Sequence, residues 1–133
     1  MSHFVEIRLV IKDQKALVRA LERMGFAGKV QSHDTARNVR DYWGNKSPVM
    51  AEVIVPREHF GHADFGFEKQ KDGTFKAHMD SYDQGRLGAK WQDRLSTFYG
   101  IEKTKIELEH KGMKYSEDLD EKQRPRIRIR MDY

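Results

Sequence analysis

His59, His62 and Asp64 stand within six residues of one another, and His78 and Asp80 follow at the far end of the next alternating stretch. Imidazole and carboxylate are ordinary ligands for zinc, manganese and non-haem iron. A metal held by two or three of them can turn a bound water into a nucleophile at neutral pH. These five residues are the candidate metal site, and a metal ion is the only cofactor for which the chain offers ligands. The competing reading is that they cap turns and strand ends. A His-x-x-His spacing in a loop arises readily by chance, and no closed ligand set accompanies it.

A second constellation is basic. Arg124, Arg126, Arg128 and Arg130 alternate along the last stretch. On a strand they would share one side at steps of about 6.6–6.8 Å, twice the rise per residue. Arg8, in the first alternating run, is expected to face the same way, and Tyr42, Trp43 and Tyr82 are expected to supply stacking platforms beside them. Guanidinium forks match phosphate oxygens, and exposed rings stack on bases, so this set is the candidate nucleic-acid or partner-binding surface. The plainer role is defensive: arginines keep an exposed strand from pairing edge to edge, and they pair with nearby acids. The same edge could also receive a partner's strand.

Other chemistries lack their residues. There is no cysteine, which excludes disulfides, thiolate catalysis and cysteine-held zinc or iron–sulfur centres. Neither a phosphate-cradling glycine loop nor a nucleophile elbow around a serine occurs. Glu107, Glu109, Glu117, Asp118, Asp120 and Glu121 cluster late but interleave with lysines, the pattern of a solvated, ion-paired face. The charged fraction of 35% against 38% apolar points to a large charged surface, and the net charge of +4 is mild for a dedicated nucleic-acid binder. No apolar run approaches the roughly 18 residues needed to cross a bilayer, and the first residues lack a secretory pattern. The expectation is a soluble, cytoplasmic protein with no membrane partner.

The elements that must position these residues are legible in part. Residues 3–11 alternate, with Val5, Ile7, Leu9 and Ile11 on one side. Asp13 then caps a helix over 14–24, closed by Gly25. Residues 29–31 and 38–42 read as short strands, 43–48 as a loop, and 50–55 as an apolar strand ended by Pro56. Two alternating runs flank Lys71-Asp72-Gly73, a strong hairpin signal, with Phe65, Phe67, Phe75 and Ala77 facing inward. Residues 81–88 read as a loop. A helix over 89–111 carries Trp91, Leu95, Phe98 and Tyr99 as its inward stripe, with a kink or division expected at Gly100. A strand over 113–118, an acidic turn over 117–121 and a last strand over 124–132 complete the chain. In that last strand Ile127, Ile129 and Met131 are expected to face in, and Arg126, Arg128 and Arg130 out. The order predicts one α+β domain over residues 1–133, a two-layer sandwich with an antiparallel-rich sheet and two helices on one face. The other sheet face is expected to be polar and partly exposed.

Several stretches together resemble a known family. They are Met1-Ser2-His3-Phe4 before an alternating strand, the helix start Asp13-Gln14-Lys15-Ala16-Leu17, and Phe65-Gly66-Phe67 leading through Asp72-Gly73-Thr74-Phe75 to Met79-Asp80-Ser81-Tyr82. Tyr99-Gly100-Ile101-Glu102 and His110-Lys111-Gly112-Met113 complete the set. This is similar to the chloroplast and cyanobacterial ycf thirty-five family of uncharacterised small soluble proteins. The chain departs from it at Ser81-Tyr82, where the family has an aromatic pair. The resemblance implies the same fold class and brings no catalytic motif. The first expectation is therefore a non-enzymatic interaction, adaptor or assembly-subunit module that docks a protein partner or itself. The alternative is a nucleic-acid binder using the arginine strand, and the further alternative is a metal-dependent enzyme.

Overall fold

The computed structural model describes residues 3–130. Seven strands and two principal helices follow in the order β1 (Phe4–Arg8), α1 (Gln14–Leu21), β2 (Gln31–Arg40), β3 (Lys46–Val55), β4 (Phe65–Lys69), β5 (Phe75–Asp80), α2 (Ala89–His110), β6 (Tyr115–Leu119) and β7 (Pro125–Ile129). The first five strands form one antiparallel sheet in the order β1-β5-β4-β3-β2. Both helices cover one face of it. Phe65, Phe67, Phe75, Ala77, Met79, Val53 and Val55 meet Leu17, Ala20 and Leu21 of α1 and Leu95 of α2, while Trp91, Phe98 and Tyr99 pack against this core from α2. Each fully buried Phe or Leu stabilises the fold by roughly 1.5–3 kcal/mol. The α+β sandwich read from the sequence is the observed architecture. No helix among the described residues is long and apolar enough to cross a membrane.

Local chemistry explains where the elements start and stop. Asp13 caps α1 by accepting from Ala16 N at 3.0 Å, and both Lys12 N and Asp13 N donate to the Tyr99 hydroxyl, tying α2 to the loop before α1. After Leu21 the helix passes into a wider turn, Glu22–Phe26, whose Met24 and Gly25 leave helical geometry, Gly25 with a φ of +104° that favours glycine. The β4–β5 turn holds Gly73 at φ +87°, as an Asp-Gly turn requires. The regular part of β1 stops at Arg8. Beyond it Leu9 N donates to Phe75 O and Phe75 N to Ile11 O, so Val10 bulges outward while Ile11 stays buried. Gly100 neither kinks nor divides α2, which runs unbroken for 22 residues.

The second face differs from its expected polar, open character. Val39, Ala51 and Ile54 are buried there, with Phe4 and Val49 packed on them. The β2–β3 hairpin curls across the face, close enough that a Cβ on Gly66 would lie 2.8 Å from Val39 Cγ2 and 2.9 Å from Ala51 Cβ. Two bulges permit the curl. Between the pairs Ser32–Val53 and Arg37–Ala51, β2 has more residues than β3; between Asn38–Met50 and Arg40–Lys46 the excess is on β3. The second bulge holds Pro48, which cannot donate to a ladder, and Ser47 and Asn38 satisfy its polar groups: Ser47 Oγ donates to Val39 O and Asn38 Nδ2 to Ser47 O. Residues 31–40 are therefore one long irregular strand rather than two short ones, and the loop expected over 43–48 gives way to β3 at Lys46.

The C-terminal strands correct the picture of one arginine-faced sheet. β6 and β7 form a separate two-stranded sheet beside α2. Glu117 and Asp118 lie within β6, so the turn falls later, at Asp120 and Gln123. Ile127 is half-buried, but Ile129 is exposed, since a two-stranded ribbon has no layer to cover both its ends. Met131 lies outside the described residues.

Candidate functional site: an exposed aromatic platform

Tyr42 and Trp43 occupy the turn between β2 and β3. Asp41 Oδ1 accepts from Trp43 N at 3.0 Å and Asn45 N at 2.9 Å, Gly44 N donates to Asp41 O, and Asp41 N donates to Asn45 O. Gly44 takes φ +80°, and a Cβ there would lie 2.6 Å from Arg57 Nη1. Arg57 fastens the turn from beneath. Its Nη2 donates to Tyr42 O at 2.9 Å and its Nε to His62 O at 3.1 Å. The turn is thus fixed in shape while Trp43 stays 65% exposed.

Tyr82 reaches the same place from the end of β5. The Asp80 carboxylate accepts from Tyr82 N at 3.0 Å, turning the chain so that the ring emerges 62% exposed. Asp83, 1% exposed, then supports His62: Oδ2 accepts from His62 N at 2.9 Å and Oδ1 lies 2.8 Å from His62 Nδ1. The rings meet in one surface. Tyr42 stacks on His62 with centroids 5.3 Å apart and planes 8° apart, Trp43 stands edge-on to Tyr42 at 5.3 Å, and Tyr82 lies 5.7 Å from Tyr42 and 5.6 Å from His62. Among the described residues the Tyr42 and Tyr82 hydroxyls and Trp43 Nε1 have no hydrogen-bond partner. A fixed cluster of exposed Trp and Tyr is the composition of a binding hot spot, offering large apolar area with polar tips at little entropic cost.

This surface joins residues that the sequence placed in separate groups. Tyr42, Trp43 and Tyr82 come together, but with His62 of the metal set rather than with the arginines. The five candidate ligands diverge. The Asp64 carboxylate accepts from Arg40 N at 2.8 Å and Arg57 N at 2.7 Å, and pairs with the Arg40 guanidinium at 3.0 Å. His59 is exposed on the one-turn helix Arg57–His59 and lines a cavity of about 610 Å³ with Asp64, Arg40 and Glu58. The Arg40 guanidinium beside Glu58 holds that carboxyl well below its usual range, at about 2. His78 Nε2 lies 2.8 Å from Glu68 Oε1 on the second sheet face, and Asp80 serves Tyr82. Among the described residues no three His, Asp or Glu side chains are arranged to hold a metal ion.

Arg124, Arg128 and Arg130 are exposed, as expected, while Arg126 is half-buried, and all four lie on the separate hairpin. Arg8 belongs to β1 in the other sheet. Arg124 pairs with Asp120 at 2.9 Å, and Arg126 and Arg128 share Asp118 at 2.8 and 3.0 Å. Hydrogen bonds from Arg126 push the Asp118 carboxyl below its ordinary value. Arg130 lies exposed at the end of the described chain. Sequence reading missed Asp83, Arg57 and Arg86, the last donating to Phe60 O at 2.8 Å, because their roles depend on partners brought close by the fold. Two glycines made 81–88 look featureless, and the only local signal was an aspartate in a turn. Comparison with family models, with curated proteins and with solved structures returned no match.

Proposed function

We propose that this protein is a non-enzymatic interaction module that docks a protein partner on the platform of Tyr42, Trp43, His62 and Tyr82. The observation that carries this reading is Trp43, a large apolar ring held out to solvent by a turn that Asp41 and Arg57 tie down through five backbone residues. Isolated exposed apolar residues are ordinary, whereas a contiguous cluster of aromatic rings with fixed supports favours recognition. The side chains beneath it have structural roles: Arg57 holds the turn, Asp83 holds His62, and Asp80 holds Tyr82. The test is purification of the full chain from its native cell, beside Trp43→Ala. A protein retained in stoichiometric amount by the natural chain and lost from the variant is the expected result. Identical profiles for the two, or a strictly unaccompanied monomer in both, overturn the reading. Retention of a second copy, seen by sedimentation, would assign the platform to self-assembly.

A second reading is favoured by one observation, the alternate arginines along and beside β7. In it the hairpin binds nucleic-acid phosphates. Asp118 and Asp120 already partner three of the guanidiniums, so the affinity expected is weak and falls steeply with salt. Gel shifts with single-stranded RNA at low salt, compared between the natural chain and a variant with Arg124, Arg126 and Arg128 replaced by serine, test it; equal shifts end it.

A further inference from the structure

We infer that the occupant of the aromatic platform is a proline-rich segment in the polyproline II conformation. This rests on the platform being the docking surface, and it adds the chemistry of what docks. Three features of the surface select this ligand.

The first is shape. The platform is a ridge of rings rather than a pit; the principal cavities among the described residues, the one beside His59 included, are not lined by Tyr42, Trp43 or Tyr82. A small molecule needs enclosure on most sides. An extended chain with its own ridges does not. Polyproline II advances about 3.1 Å per residue with three residues per turn, so residues three apart, roughly 9.3 Å, share one face. The ring centroids of the platform lie 5.3–5.7 Å apart, in mutual contact, so the rings form one continuous apolar ridge against which that face can lie.

The second is hydrogen bonding. The unpartnered polar tips, two phenol hydroxyls and the indole Nε1, can all donate, and the indole can only donate. Polyproline II has no internal hydrogen bonds, and its prolines carry carbonyls without N–H groups. Ligand acceptors therefore face platform donors. Its preset backbone also loses little entropy on docking, as in other aromatic grooves that read proline-rich chains.

The third is charge. A single nucleic-acid strand would use the same rings but needs guanidinium or ammonium groups free for phosphate. Here the neighbouring arginines are engaged. Arg57 donates to Tyr42 O and His62 O. Arg86 donates to Phe60 O at 2.8 Å, lies over the Phe60 ring at 4.5 Å, and approaches Asp83. Arg40 is paired with Glu58 and Asp64.

The experiment presents the full chain to an array of decamers with proline at every second or third position, to decaproline, and to glycine–serine decamers of equal length. Decauridylate is titrated in parallel, and Trp43→Ala and Trp43→Phe are run beside the natural chain. Binding to at least one proline class is expected to exceed the glycine–serine controls by tenfold or more, about 1.4 kcal/mol. It should be insensitive to salt, disappear in Trp43→Ala and survive in part in Trp43→Phe. Because Trp43 is exposed, the alanine variant should keep the natural circular dichroism spectrum. No preference for proline over the controls, or equal binding by Trp43→Ala, overturns the inference. Salt-sensitive binding of decauridylate lost with Trp43 would replace it by nucleic-acid recognition. If the proline arrays fail while the native partner is still lost from Trp43→Ala, only the proline chemistry falls; if both fail, the docking surface itself falls.

Discussion

Buried carboxylates set the geometry of the exposed rings. Asp64 and Asp83 are 3% and 1% exposed; Asp64 receives two backbone N–H groups and Asp83 one, and each also has a cationic or imidazole partner. Replacing Asp83 with alanine strands His62 N and removes its ring partner. The expected cost is about 1–3 kcal/mol in urea unfolding, the cost of leaving a buried donor unmade. The same change should weaken partner capture even at temperatures where the variant is fully folded. At Gly66 the issue is space. A methyl group there collides with Val39 and Ala51, so Gly66→Ala is expected to destabilise by about 1–3 kcal/mol, measured the same way. In the sequence, the aromatic members of the platform were readable as candidates for stacking. Their supports were not, because Asp83 meets His62 only once the chain between them has folded into β4 and β5.

Elements governed by one regular period were legible. The Asp72-Gly73 hairpin, the Asp13 cap, and the inward stripe of Trp91, Leu95 and Phe98 all follow from local rules that tertiary packing did not override. β2 and β3 failed that reading because their bulges break the two-residue alternation, so residues on one face no longer stand at even spacing. Ser47 and Pro48 look like loop residues until Ser47 is seen bonding Val39 O. Gly100 was the opposite case, a real propensity penalty without a geometric consequence. Apart from its own helical backbone and chain neighbours, no atom lies within 4 Å of where its Cβ would be, and its φ is not in the left-handed region. Gly100→Ala is therefore expected to stabilise the protein by about 1 kcal/mol, seen as a higher Tm.

At the scale of the whole molecule, the C-terminal hairpin is joined to the body largely through charge. Glu117 of β6 receives Arg23 Nη1 and Nη2 at 2.9 and 2.6 Å and pairs with Lys105, while Arg23 also reaches the buried Glu102 at 2.8 Å. The hydrogen bonds from Arg23, above all, hold the Glu117 carboxyl below its ordinary value of 4.5. A carboxyl whose folded pKa is depressed contributes stability that is present above its unfolded value and is lost as pH falls through the folded one. The hairpin should therefore loosen below about pH 4.5, before the apolar core does, and its amide signals in NMR should broaden or shift while those of β4 and β5 persist. Simultaneous loss of both would contradict this. The arginine column that dominated the sequence thus sits on an appendage whose acids answer it, and the exposed rings sit on the main sheet. A photo-activatable phenylalanine in place of Asn45, beside the platform, and another in place of Arg128, on the hairpin, compare the two surfaces in the native cell. The account predicts a single protein crosslinked from position 45 and little from position 128; crosslinks confined to position 128, or nucleic acid captured there alone, would contradict it.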